Sequence, residues 1–162
     1  MAVDFLLKFD SGSGITGESV IDKHEGEVQI LSWSWGGVMS TSVSGSGGSS
    51  AGKAQLSEFS FMKETDKGTP SIYKALVSGT HIKQVDLFAM KTGGGSGAPF
   101  QQFTFKEVLI TSYQVSASSE VPTESVSFSY ANCQMQYWNQ DAEGTMTVAG
   151  NVTFDTRTQK VS

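Results

Sequence analysis

Apolar positions in this chain recur mostly at every second residue, and that spacing predicts strands. The clearest case is residues 27–37, EVQILSWSWGG. Leu31, Trp33 and Trp35 share one face there, while Ser32, Ser34 and Gly36 share the other. Val28 and Ile30 stand in the opposite phase, which predicts a bulge or a change of burial near Ile30 and Leu31. This strand is expected at the middle of a β core, where burial of the Trp35 ring would make Trp35→Ala cost about 3–5 kcal/mol.

The alternation extends in both directions. Residues 2–10 predict a first strand with Val3, Phe5, Leu7 and Phe9 on one face. A flexible turn at 11–17 and a charged, solvated segment at 22–26 follow. Residues 53–63 read as a strand with Phe59 and Phe61 together, and residues 81–90 set Val85, Leu87 and Ala89 against Gln84 and Asp86. After a hairpin loop at 91–99, residues 100–116 form a long strand with apolar residues in both phases, which predicts cover on both faces over part of its length. Residues 125–138 make another long strand, and Met146, Val148, Val152 and Phe154 mark a last, interrupted one. Helical spacing occurs once, in the stripe Ile72, Tyr73, Leu76 and Val77 over about residues 70–78. Thr69 is placed to cap that helix, Pro70 to open it and Gly79 to end it. So short a helix is unstable alone, so its stripe must dock on the β core. About seven strands and one helix predict a mainly β chain. The expected fold is a single domain over residues 1–162, a compact two-sheet β-barrel with one short flanking α-helix.

Residues 38–52, VMSTSVSGSGGSSAG, interrupt the pattern. They carry no charge and are rich in Gly and Ser, and long loops in compact domains tend to be functional or disordered. The segment reads as a projecting loop that orders on a partner surface. The contact is assigned to Val38, Met39, Ser40, Thr41, Ser42, Val43, Ser44, Gly45, Ser46, Gly47 and Gly48.

Composition narrows the function. A net charge of −5 with Arg157 as the sole arginine disfavours nucleic-acid binding. The single Cys133 excludes an internal disulfide and suits a reducing compartment; inside a strand pattern it reads as a buried, inert thiol. The N-terminus has no basic region followed by a long apolar core, and no run approaches the ~20 apolar residues that span a bilayer. The chain is therefore expected to be made as a cytoplasmic protein without membrane insertion, with export open only by a route that needs no cleaved signal.

Candidate chemistry mostly drops out. Residues 47–53, GGSSAGK, fit the pattern of a phosphate loop. Ala54 stands where a hydroxyl should hold magnesium, however, and strand character follows where a helix should begin. His24 and His81 lie apart without ligand spacing. Glu64 and Asp66 between Lys63 and Lys67 read as balanced surface charge. No catalytic residue, metal site or cofactor is expected, and the chain does not read as an enzyme. The competing reading is a carbohydrate-binding β-sandwich with Trp33 and Trp35 as a sugar platform, and the predicted burial of those rings argues against it.

Several segments stand in a telling order: AVDFLLK at 2–8, KH at 23–24, ILSWSWG at 30–36, AGK at 51–53 and FSFMKETDKGTP at 59–70. GTH at 79–81, EVLITS at 107–112 and ESVSFSYANCQMQY at 124–137 continue it. Together they resemble the Hcp family, the tube protein of bacterial type VI secretion. The resemblance implies a compact β-barrel with a helix on its flank. It also implies homohexameric rings that stack into a hollow tube, fired by a contractile sheath and carrying small secreted effectors behind a spike protein. Such a protein is cytoplasmic before firing and extracellular afterwards. In that setting the 38–48 loop would touch an adjacent subunit or ring, and Ser32 and Ser34 would be candidates for the lumen wall. Cys133, the Ser-rich residues 112–119 and the tail beyond Tyr137 depart from the family pattern.

Overall fold

The computed structural model describes residues 3–43, 45, 47–91, 98–118 and 120–162. The first residue of the predicted N-terminal strand, Ser44 and Ser46 of the contact loop, most of the predicted 91–99 hairpin loop and Ser119 lie outside the described residues.

In chain order the elements are β1 (Val3–Phe9), a single 3-10 turn (Ser11–Ser13), β2 (Val28–Ile30), β3 (Ser32–Ser34), β4 (Gly37–Val43) and β5 (Ser49–Leu56). They continue with β6 (Phe59–Glu64), α1 (Thr69–Ser78), β7 (Ile82–Lys91), β8 (Pro99–Ser116), β9 (Thr123–Ser129), β10 (Asn132–Gln140), β11 (Met146–Asp155) and β12 (Lys160–Val161). The chain is mainly β with one helix, as its alternation predicts. Bends split three of the expected seven strands in two, and β4 and β12 form where a loop and a polar tail were expected, giving twelve strands among the described residues. The predicted 53–63 strand breaks at Ser57 and Glu58, and the predicted 125–138 strand breaks at Tyr130 and Ala131. The last strand, expected to be interrupted, instead runs unbroken through a bulge opposite Tyr137 and Trp138.

One wing of antiparallel strands runs β12-β11-β10-β8-β7-β1-β2, and a second runs β8-β9-β6-β3. The long β8 serves both: its N-terminal half pairs with β7 and β10, its C-terminal half with β9. Positive φ at Glu107 (55°) and a register shift between Ile110 and Ser112 re-phase the strand twice. Phe103 and Phe105, then Val108 and Ile110, all reach the interior in turn. The apolar residues in both phases thus mark one inward face re-aimed by bulges, and the expected cover on both faces holds over Phe103–Phe105, where Thr104 is buried too.

At the opposite corner β2 pairs with β1 and β3 with β6. Leu31 lies between them, its N–H donating to the Met62 carbonyl at 2.7 Å. The chain turns this corner covalently, and no strand ladder closes it among the described residues, so the expected closed barrel is two wings sharing β8. The phase change predicted at Ile30 and Leu31 is real: Ile30 is buried and Leu31 is 55% exposed on the bend. Leu31 thus does not share the face of Trp33 and Trp35.

Aromatic rings fill the space between the wings. Phe59 lies 5.0 Å from Phe128 and 5.1 Å from Phe105, centroid to centroid. Trp33 stacks on Phe59 at 5.9 Å, and Trp35 meets Phe103 edge-on at 5.3 Å. The α1 helix inserts Ile72 and Ala75, with Leu76 partly buried. Tyr73 and Val77 are mostly exposed, so the docked stripe is narrower than its spacing predicts. Gly68, not Thr69, occupies the cap position, because the Thr69 hydroxyl is engaged elsewhere. Gly79 ends the helix in the left-handed region at φ 60°, as expected.

Candidate assembly surfaces

Residues 38–43 and 49–52 are strand where a loop was expected. Strands β4 and β5 form an antiparallel hairpin, with Gly37 opposite Leu56, Met39 opposite Ala54 and Val43 opposite Ser49. The β-branched Val38, Thr41 and Val43 suit a pleated strand, and the Ser42 and Ser50 hydroxyls bond across it at 2.7 Å. This two-stranded sheet pairs with no other strand among the described residues. Every residue of β4 is exposed. Of the assigned contact residues, Val38, Met39, Ser40, Thr41, Ser42 and Val43 lie on β4, and Gly45, Gly47 and Gly48 lie in the connecting turn. Because β5 runs through residues 49–53, the phosphate-loop pattern has no helix N-terminus behind it.

The arm springs from a tied root. Ser57 donates its N–H to the Gly36 carbonyl at 2.8 Å, and its hydroxyl accepts the Gly36 N–H at 2.9 Å. Tyr130 donates to the Ser57 carbonyl at 2.7 Å and accepts the Trp35 indole N–H. Burial pushes the Tyr130 phenol up to about 12, so it remains a donor at any physiological pH. Gly37 allows close approach to Leu56: a Cβ there would lie 2.6 Å from Leu56 Cδ2, which would have to shift. No local signal marks Tyr130 or Ser57, because Tyr130 reaches Trp35 across 95 positions of sequence.

Ser32 and Ser34 are exposed on β3. The register extends their face across the second wing. Ser34 stands opposite Ser60, Ser60 opposite Ser127 and Ser127 opposite Ser112, giving a row of small hydroxyls over four strands. Ser60 and Ser127 bond to each other at 2.8 Å. The tryptophans point the other way and pack against core phenylalanines, but both are partly buried rather than buried as predicted.

Two charged groups that read as solvated are buried. Lys63 is fully buried, with Nζ 2.7 Å from Glu124 and 3.0 Å from Asp66. It also donates to the Glu64 carbonyl and to Thr69 Oγ1. Thr69 and Tyr113 donate their hydroxyls to the two oxygens of Glu124. Burial, reinforced by Glu124, pushes the Tyr113 phenol up to about 12. Glu64 and Lys67 are exposed as expected, but Lys63 is instead the centre of a pin that fixes the start of α1 to β6, β8 and β9. A sequence signal existed: Lys63 continues the buried parity of Phe59 and Phe61, and Glu124 that of Val126 and Phe128. Near β1, His24 of the segment predicted to be solvated is buried and pairs with Glu27 at 2.9 Å, its ring 4.8 Å from Phe88. Desolvation raises the Glu27 carboxyl above its ordinary value against the pull of His24.

Cys133 is buried, as its strand pattern predicts, and burial pushes its thiol up to about 11. Among the described residues no group of three His, Cys, Asp or Glu side chains could hold a metal ion. No helix among them is long and apolar enough to cross a membrane.

The family model described as "Type VI secretion system effector, Hcp" matches residues 7–137. The chain belongs to the Hcp family. Protein hcp1 of Pseudomonas aeruginosa is 37% identical to this Hcp chain over 146 residues, covering 89% of it and 88% of the relative. Among solved structures, one described as a type six secretion system protein superposes with a TM-score of 0.91 at 28% identity, covering 99% of this chain and all of the other. The crystal structure of Hcp1 from Salmonella typhimurium matches with a TM-score of 0.78 at 28% identity over the full length of both. The family model stops at Tyr137, yet these superpositions take in β11 and β12 as well. The tail that departs in sequence therefore keeps the fold.

Proposed function

We propose that this Hcp chain is a structural subunit of the type VI secretion tube, forming six-membered rings that stack into a hollow conduit for secreted effectors. The observation that carries the reading is the β4–β5 arm. An isolated two-stranded sheet is marginally stable in water, and this one exposes Val38 and Val43 at 69% and 83%. Such an arm gains stability only against another surface. A ring or stack needs such a heterologous contact, one patch against a different patch. In this reading the arm touches an adjacent subunit or ring, and Ser32 and Ser34, with the hydroxyl row beyond them, face the lumen. Small uncharged hydroxyls hold passengers weakly and release them. The spike protein, the contractile sheath and small effectors are the remaining partners, and the chain leaves the cytoplasm on firing without a cleaved signal.

Light scattering and negative-stain microscopy of the purified chain test this directly. The expected result is a closed annulus of six copies that lengthens into stacks. Deletion of residues 40–50 should leave the circular-dichroism spectrum of a β protein intact and shorten the stacks. A lone protomer at high concentration sinks the reading, and wild-type tube lengths in the deletion variant remove the arm from it.

A further inference from the structure

On the face of the first wing turned away from the core, β7 floors a groove of about 540 Å³. Gln84 and Asp86 lie along it, alternating with the buried Val85 and Leu87. Lys8 of β1 stands opposite Asp86 and Lys106 of β8 opposite Gln84, so a lysine flanks the floor on each side. Lys83 and Asp10 complete the wall. We propose that this groove binds an oligophosphate, a compact anion with several negative charges. The site is independent of the tube reading.

The way the charges are spent points to that ligand. All three lysines are exposed, and none is ion-paired among the described residues. The carboxylates beside them are taken by neutral donors. Asp86 is buried and accepts from Thr104 at 2.7 Å, Gln84 at 2.9 Å and Gln102 at 3.2 Å. Asp10 accepts the Gly12 N–H at 3.2 Å, and the nearby Glu27 is held by His24. Opposite charges that face each other across two strands ordinarily pair, yet Lys8 and Asp86 do not. Three free ammoniums therefore surround a floor whose negative charge is already hydrogen-bonded, in a chain of net charge −5. A neutral ligand would leave them uncompensated. Lysine meets phosphate as a point charge, and three lysines around one groove favour several phosphates over one. The volume falls within the roughly 300–1,000 Å³ of small-ligand sites.

The test uses the full chain and inorganic tripolyphosphate, followed by calorimetry and thermal unfolding at fixed ionic strength. Tripolyphosphate should bind more tightly than orthophosphate and raise Tm as its concentration rises. Lys8→Gln with Lys106→Gln should weaken binding by about tenfold or more, while Lys8→Arg with Lys106→Arg should keep it. Both positions are exposed, so these variants should retain the circular-dichroism spectrum of the wild type. Lys67→Gln with Lys74→Gln makes the same change of net charge at exposed positions outside the groove, and should bind like the wild type. ATP separates two sources of the same chemistry. Binding as tight as tripolyphosphate assigns the groove to the phosphates of a nucleotide, and weaker binding assigns it to a free oligophosphate. The proposal is overturned if tripolyphosphate gives neither heat nor a shift in Tm, or if orthophosphate binds as tightly. It is equally overturned if the Lys67 and Lys74 variant loses as much affinity, because binding would then follow net charge alone. A hexaglutamate peptide that binds as tightly as tripolyphosphate would assign the groove to an acidic protein segment and overturn it too.

Discussion

Lys63→Met is the most informative single substitution in the protomer. Methionine matches the length of the lysine stem and removes only the ammonium. In the wild type that ammonium lies 2.7 Å from Glu124, and both side chains are fully buried. Its loss leaves Glu124 with two hydroxyl donors, Tyr113 at 2.6 Å and Thr69 at 3.1 Å, and no cation. Asp66 keeps some solvent access at 12% exposure, so most of the cost falls on Glu124. Breaking a buried pair by removing one partner costs about 3–5 kcal/mol. For a chain of this size roughly 2–4 °C of Tm goes with each kcal/mol, so Tm should fall by roughly 6–20 °C. Replacing both partners, Lys63→Met with Glu124→Leu, should recover much of that loss, because no uncompensated charge remains. The recovery stays partial, since Tyr113 and Thr69 lose their acceptor. Urea unfolding is the assay, run at a dilution where the chain is a protomer, because assembly would add its own stabilisation. The midpoint should move while the slope stays constant, marking a change in stability and not in compactness. If Lys63→Met costs less than about 1 kcal/mol, or if the double variant is the weaker of the two, the pin has been misread.

Two further outcomes follow from the same geometry. Tyr130→Phe removes the hydroxyl that joins Trp35 to Ser57, at a cost of about 1–2 kcal/mol, and should speed amide exchange at Gly36 and Ser57 ahead of the core strands; unchanged exchange there would separate the arm from its root. Cys133, held up to about 11 by burial, has roughly one thiol in a thousand ionised at pH 8, so it should resist thiol reagents until urea unfolds the chain. Its thiolate form is the disfavoured one in the fold, so this stability is full below the thiol's ordinary value and is lost as pH rises from there through the raised value; rapid labelling of the folded protein at pH 8 would refute the burial.

Alternation by itself determined the class of the fold, because a period of two is a local property of the chain. Phe59 with Phe61, and Val85 with Leu87, declared their faces before any partner strand was known. The helix declared itself too, through Pro70, Gly79 and Ile72, although Tyr73 and Val77 were counted as docked when the sheet covers only one side of the helix. Strand ends were less legible. At Leu31, Ser57 and Tyr130 the chain bends to change partners, and a bend looks like continued alternation until the neighbouring strand is in place. Charge was the least legible property. His24, Glu27, Lys63 and Glu124 have the composition of surface residues, and only the folded chain brings each against its counter-charge, Lys63 and Glu124 from 61 positions apart. The arm shows the same division. Its freedom from charge is written along residues 28–52, but its pairing as a hairpin and its root at Tyr130 exist only once distant strands have met.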